Sequence, residues 1–357
     1  EDCPLKKEMT TQYEYYENGL LKRQTTGYYE EFYEYNEDRQ LIRMTNSRNQ
    51  MIEYVYNSNG VTVDSEILYN YTQGAGSTLI LEPVTKTDYT YNAFGQTTSS
   101  STYEAVFASD GTTLVAKSGT DYVITGYSYE TTAGSPIFGA MLREEDNLNI
   151  WTTYHYDNNN GRLLAVINSD QGTGTCYTYD AVGNITSVMP ALYTSSTGYS
   201  TVSDSASAQY TYNEANLLTS ITTDSTTYTF TYDAFGKSDS VSAGGNEIVN
   251  YEYNSYNGKL SKINYANGFS VRYVYDTLEN IKEVWYNDGV TETQAFEYTY
   301  TSYGQLARFD NLLTGKSAVY KYDIDNRLIG YIEYDCEEKI NEFSSSVSYT
   351  DRSEVEY

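Results

Sequence analysis

The sequence has 357 residues and a formal net charge of −27, from 49 acidic and 22 basic residues. No basic run of five or more occurs, which argues against nucleic-acid or anionic-membrane partners, because phosphate binding rests on clustered Lys and Arg. Tyrosine supplies 43 residues against four prolines and two tryptophans, a strand-forming composition, and no apolar stretch reaches the ~18–20 residues of a membrane helix.

The acidity is spread along the chain and reads as a soluble, mutually repelling surface. Length alone suggests two or three domains of about 100–200 residues each, unless an internal repeat replaces separate cores by stacked units. No signal-peptide pattern opens the sequence, and EDCPLKKE lacks an initiator Met, so a piece or processed form of a longer protein is expected. Cys3, Cys176 and Cys336 are far apart and form no CxxC, so neither a zinc site nor a disulfide framework follows. Few cysteines with many polar β-formers fit a secreted or cell-surface protein, bacterial by composition.

In chain order an aromatic-x-Tyr core recurs: YEYYENGLL from Tyr13, YEYNEDRQLI from Tyr33, YVYNSNGV from Tyr54, YTYNAFGQ from Tyr89, YHYDNNNGRLL from Tyr154 and YTYDAVGNITSV from Tyr177. It continues as YTYNEANLLTSI from Tyr210, FTYDAFGK from Phe230, YEYNSYNGKLSKI from Tyr251, YVYDTLENIKEV from Tyr273, YTYTSYGQLARF from Tyr298 and YKYDIDNRLIGY from Tyr320. Weaker copies stand at Tyr69-Asn70-Tyr71 and Tyr127-Ser128-Tyr129. The second tyrosines Tyr212, Tyr232, Tyr253, Tyr275, Tyr300 and Tyr322 are spaced by 20, 21, 22, 25 and 22 residues. That period is one hairpin plus its return connection, the signature of a repeat array.

Each position in the unit has a physical reason. In Tyr177-Thr178-Tyr179 the tyrosines at i and i+2 share one strand face, where each ring can bury about 150–250 Å² against neighbouring strands. Tyr154 with Tyr156 and Tyr320 with Tyr322 repeat this pair, and Tyr232 follows Phe230. Asp180 and Gly183 suit the first and fourth positions of a type I turn whose last residue has positive φ; Asp233 with Gly236 does the same, and Asp323 opens the last turn. Gly stands four residues after the second Tyr at 19, 60, 95, 183, 236 and 304, and Asn216 and Asn326 stand in for it. After Asp157 and Asn254 the glycine comes one residue later, at Gly161 and Gly258, so a longer turn is expected.

Two stretches break the period. Residues 96–126 read as an inserted hairpin about Asp110-Gly111, and residues 189–209, rich in Ser, Thr and Gly, read as a polar loop. Neither marks a domain boundary, and residues 1–357 read as one array.

The unit Y-x-Y-D-x-x-G-R-L, closest in Tyr154 to Leu163 and Tyr320 to Leu328, resembles the YD repeat of the Rhs family over roughly residues 13–335. That family includes bacterial Rhs toxins, wall-associated proteins, the BC components of Tc toxins and the teneurins. The resemblance implies an all-β fold of repetitive antiparallel hairpins forming a spiralling YD-repeat sheet, an open barrel or shell segment. In the toxins such a shell encloses a C-terminal toxic domain. About 14 hairpins give about 28 strands, a ribbon on the order of 130 Å long that rolls once to ~40 Å across. One turn of that size is a tube or an open arc with unpaired edges at both ends. Those edges would meet further YD-repeat segments or another copy of the chain. The family's DPxG-type core motif has no counterpart, since Pro4, Pro83, Pro136 and Pro190 follow no aspartate; autoproteolysis and toxicity are not expected of these residues.

Candidate sites are few. His155, the single histidine, lies on the strand face opposite the rings and reads as a surface or cross-strand residue. Glu144-Glu145-Asp146, Asp323-Ile324-Asp325 and Asp157-Asn158-Asn159-Asn160-Gly161 are oxygen-rich, but none has calcium-loop spacing, and turn chemistry explains them. No catalytic residue, cofactor or metal is assigned. The expected role is a non-enzymatic structural shell segment, a scaffold or carrier for a toxin domain outside this chain. The alternative is an extracellular adhesin whose tyrosine-rich surface holds a glycan or a neighbouring protein.

Overall fold

The computed structural model describes residues 6–73, 79–196, 198–202, 207–223 and 225–335. Among them are 28 strands and no helix, the all-β architecture of repeated antiparallel hairpins that the tyrosine period implies. Contacts group the chain into two compact units, Glu1–Glu30 with Val249–Tyr357, and Glu31–Ile248.

In the first unit, strands Leu260–Tyr265, Ser270–Tyr275, Ile281–Asn287, Glu292–Tyr300, Leu306–Asn311, Lys316–Tyr322 and Leu328–Asp335 each pair antiparallel with the next in sequence. The last of them, Leu328–Asp335, then pairs antiparallel with the first strand of the chain, Lys6–Tyr15, with Tyr331 opposite Thr11 and Gly330 opposite Gln12. The expectation of open edges at both ends is therefore corrected: the two terminal strands complete each other. Gly330 permits the approach, because a Cβ there would lie 2.6 Å from the Thr11 carbonyl oxygen.

In the second unit, two long strands each take two partners along one edge. Thr97–Phe107 pairs with Val123–Tyr129 through Ser99 to Thr102, and with the short strand Leu114–Ala116 through Ala105 to Phe107. Ile185–Thr194 pairs with Ala208–Tyr212 at Ser187 and Val188, and with Gly198–Thr201 through Ala191 to Thr194. Residues 189–194 thus extend a strand and 198–201 fold back on it, which corrects the polar-loop reading of that stretch. Its Tyr and Thr are themselves strand formers, and Ala191 is buried in the local core.

The turns follow the Asx-Gly logic. Asp180 Oδ1 accepts the backbone N–H groups of Val182, Gly183 and Asn184 at 3.0, 2.7 and 2.9 Å. The register then slips by one residue between Thr178 and Tyr179, the bulge that a positive-φ fourth residue produces. The same slip precedes Tyr15, Tyr56, Tyr156, Tyr212, Tyr232, Tyr275 and Tyr322. Gly161 and Gly258 close longer turns by donating to the Asp157 and Asn254 carbonyls, both at 2.8 Å.

Beyond the glycines, Asn216 (φ 60°) and Asn326 (φ 64°) take the left-handed position, and so do Arg39 (φ 66°) and Glu279 (φ 67°). Sequence reasoning finds the two asparagines and misses the other two, because Arg and Glu carry no turn signal. Glu279 N donates to the Asp276 carbonyl at 3.1 Å, so the flanking ladders impose a conformation that costs roughly 1–2 kcal/mol for an L-residue. Glu279→Gly is expected to raise stability by roughly 0.5 kcal/mol or more, even though its exposed ion pair with Lys259 at 3.3 Å is lost; urea unfolding at neutral pH measures it.

Candidate functional site: the tyrosine seam

The second tyrosine of the unit makes one repeated contact. Tyr179 Oη donates to the Leu163 carbonyl at 2.6 Å, Tyr275 to Leu260 at 2.8 Å and Tyr322 to Leu306 at 2.9 Å. The bond recurs from Tyr56 to Leu41, Tyr91 to Val63, Tyr156 to Met141, Tyr212 to Ile185, Tyr232 to Leu218 and Tyr300 to Ile281. Tyr15 donates to Leu328 at 2.7 Å, so the first repeat serves the last as these repeats serve their predecessors.

Ladder geometry explains why the bond is needed. The strands joining successive units stop pairing at Ala165 opposite Cys176, at Lys262 opposite Arg272 and at Arg308 opposite Val319. In each case the acceptor carbonyl lies two residues before the last paired residue and the tyrosine three residues after its partner. The strands diverge there, and the phenol supplies the donor that the backbone no longer can. Burial pushes the hydroxyl pKa of Tyr56, Tyr156, Tyr179, Tyr275 and Tyr322 upward, which keeps these phenols neutral donors.

The residue between the two aromatics faces the other way and clamps the bulge. Thr178 Oγ1 meets both bulge hydroxyls, Thr186 at 2.9 Å and Ser187 at 2.8 Å, and Thr211 does the same with Thr219 and Ser220. At two of the positions that hold glutamate an arginine replaces the hydroxyls, Glu14 with Arg23 and Glu34 with Arg43. The turns are also linked in a row. Arg162 Nη1 donates to the Asp180 carbonyl at 2.6 Å, Gln305 Nε2 to Asn326 at 2.8 Å and Gln40 Nε2 to Gly60 at 2.8 Å.

The structure places the repeat residues as follows. Tyr154, Tyr177 and Tyr320 lie on the ring face, and Tyr156, Tyr179, Tyr232 and Tyr322 carry the seam bonds. Asp157, Asp180, Asp233 and Asp323 cap turns whose positive-φ residues are Gly161, Gly183, Gly236 and Asn326. The oxygen-rich stretches are occupied by the same chemistry: Asp146 Oδ1 accepts Leu148 and Ile150 N–H, Glu145 pairs with Arg143, and Asp323 and Asp325 pair with Arg327. Cys3 and Cys336 lie outside the described residues.

His155 packs half-buried against Tyr199, with ring centroids 5.1 Å apart, beneath the folded-back strand Gly198–Thr201. Gly198 is required there, since a Cβ would come within 2.3 Å of His155 Cε1. The adjoining core of Ala165, Ile167, Cys176 and Ala191 is buried, and burial pushes the Cys176 thiol pKa up, away from the reactive thiolate. Burial also lowers the His155 pKa. In the other unit, Glu297 stands in register between Glu283 and Asp310; burial and those two carboxylates raise its pKa.

One feature escaped the sequence reading. A trough of about 490 Å³ in the Glu31–Ile248 unit is lined by Thr87, Tyr89, Thr97, Ser100, Thr102, Tyr127 and Tyr129. Thr and Ser at alternate strand positions are the only signal that could have marked it.

Two outcomes test this account. Tyr275→Phe should cost about 1 kcal/mol, because a carbonyl loses its donor, whereas Tyr273→Phe, whose phenol has no partner, should stay within about 0.5 kcal/mol; equal losses in urea unfolding would refute the seam. For His155 the folded pKa lies below the unfolded value, so its contribution to stability is present above about pH 6.5 and is lost as pH falls through the folded pKa. Glu297 acts with the opposite sign as pH falls, so the test is the wild-type minus His155→Gln difference in melting temperature, which should shrink between about pH 7 and pH 5.

Residues 189–289 match the family described as Teneurin YD-shell. No curated protein matches the sequence. Among solved structures the chain is similar to TcdB2-TccC3, with TM-score 0.42 and 13% identity over 89% of this chain and 21% of that one. It is also similar to the Photorhabdus luminescens Tc holotoxin pore, with TM-score 0.41 and 12% identity over 89% of this chain and 21% of that one. A porin-like protein from Bacteroides uniformis is similar at TM-score 0.19 and 11% identity, over 80% and 94% of the two chains. This chain spans about a fifth of the length of the first two. The match to the Teneurin YD-shell family spans the copies ending in Tyr212, Tyr232, Tyr253 and Tyr275.

Proposed function

We propose that this chain is a non-enzymatic segment of shell wall, a scaffold that helps to enclose a toxin domain lying outside it, in a secreted or surface-displayed bacterial protein. The observation that supports this most is the phenol–carbonyl seam. It joins ten repeats to their predecessors at one fixed ladder position, including Tyr15 to Leu328. Residues spent on the same wall contact in repeat after repeat are the mark of a chain whose product is the wall itself. The titratable groups fit the same reading: Asp180 and Asp323 hold turns, Glu14 and Glu34 pair across strands, and Cys176 is buried. Further YD-repeat segments or another copy of the chain are the neighbours that this reading proposes.

Limited proteolysis of the full chain tests the proposal. A wall segment should resist thermolysin as a cooperative β-structure and lose that resistance in one transition with urea. Release of a compact core that lacks the repeats would overturn it.

A further inference from the structure

We propose that the trough between strands Leu79–Tyr91, Thr97–Phe107 and Val123–Tyr129 binds a neutral oligosaccharide. The site stands where the seam is broken. Strand Val123–Tyr129 stops pairing at Gly126 opposite Ser99, the same ladder position as in the repeats that carry the seam bond, so Tyr129 is placed to bond the Thr97 carbonyl. Its hydroxyl makes no such bond; it lines the trough together with Thr97. The hydroxyls of Tyr89, Tyr127 and Ser100 line the same space and have no hydrogen-bond partner in the protein either. The turn after Tyr129 is also unlike the others, a long loop closed by Glu130 N on the Ala140 carbonyl at 2.9 Å.

The lining chemistry selects the ligand class. A volume of about 490 Å³ falls within the ~300–1,000 Å³ of small-molecule sites. Every lining side chain carries a hydroxyl and none carries a charge, so neither an anion nor a cation would find its counter-charge. An apolar ligand would bury the free phenols without partners, at a cost. Hydroxyl groups both donate and accept, which matches the hydroxyls of a sugar, and the tyrosine rings offer apolar faces to its C–H surface. The net charge of −27 disfavours acidic saccharides.

Isothermal titration of the full chain with maltohexaose, cellohexaose, chitohexaose and xylohexaose tests the inference, with oligogalacturonate as the acidic control. At least one neutral probe should bind with Kd of about 1 mM or tighter. The double variant Tyr127→Phe/Tyr129→Phe removes two hydroxyls that bond nothing in the protein; it should weaken binding roughly tenfold and leave the melting temperature within about 2 °C. Ser100→Phe, which fills the trough, should abolish binding; if it fails to fold, the double variant decides alone. Absence of binding by all four neutral probes, preference for oligogalacturonate, or binding that survives in the double variant would overturn the inference.

Discussion

The hydrogen bond from the second tyrosine of a unit to a carbonyl of the preceding unit is the contact on which the rest of the structure depends. An Asx-Gly turn with positive φ forces a bulge, and the bulge makes the two strands between successive units part before their ends. Carbonyls are left beyond the last ladder pair, where a backbone donor cannot reach. A phenol on a rigid ring spans that gap with little side-chain entropy to lose, and its apolar body fills the space between strands. Turn, bulge and tyrosine are therefore one device, which is why they recur together.

Other positions adapt to this device. The residue between the aromatics holds the bulge through paired hydroxyls, as at Thr178, or through an ion pair, as at Glu34 with Arg43. The residue before the return strand ties its turn to the next through a long polar side chain, as with Arg162, Gln40 and Gln305. Both insertions, the hairpins ending in Leu114–Ala116 and Gly198–Thr201, pair only with the outer ends of long strands; the second leaves the bond from Tyr212 to Ile185 in place, whereas the first precedes Tyr129, where the bond is missing. The two faces thereby acquire different chemistry, rings on one and hydroxyls or charges on the other.

A wall built this way separates structural from recognition chemistry. Most tyrosine hydroxyls at second positions are consumed by the seam. In the trough the second-position hydroxyl of Tyr129 is released instead, beside the first-position rings of Tyr89 and Tyr127.

The sequence by itself determined the strand content, the period and the turn chemistry, because alternation of rings and the Asx-Gly spacing are local and need no distant partner. The family resemblance was legible for the same reason. Tertiary structure alone decided what depends on neighbours: the carbonyl that each second tyrosine meets, the pairing of Lys6–Tyr15 with Leu328–Asp335, the left-handed conformation forced on Arg39 and Glu279, and the strand in residues 189–194. Each of these is set by where one ladder ends relative to the next. That register is a relation between strands, and no single stretch of sequence carries it.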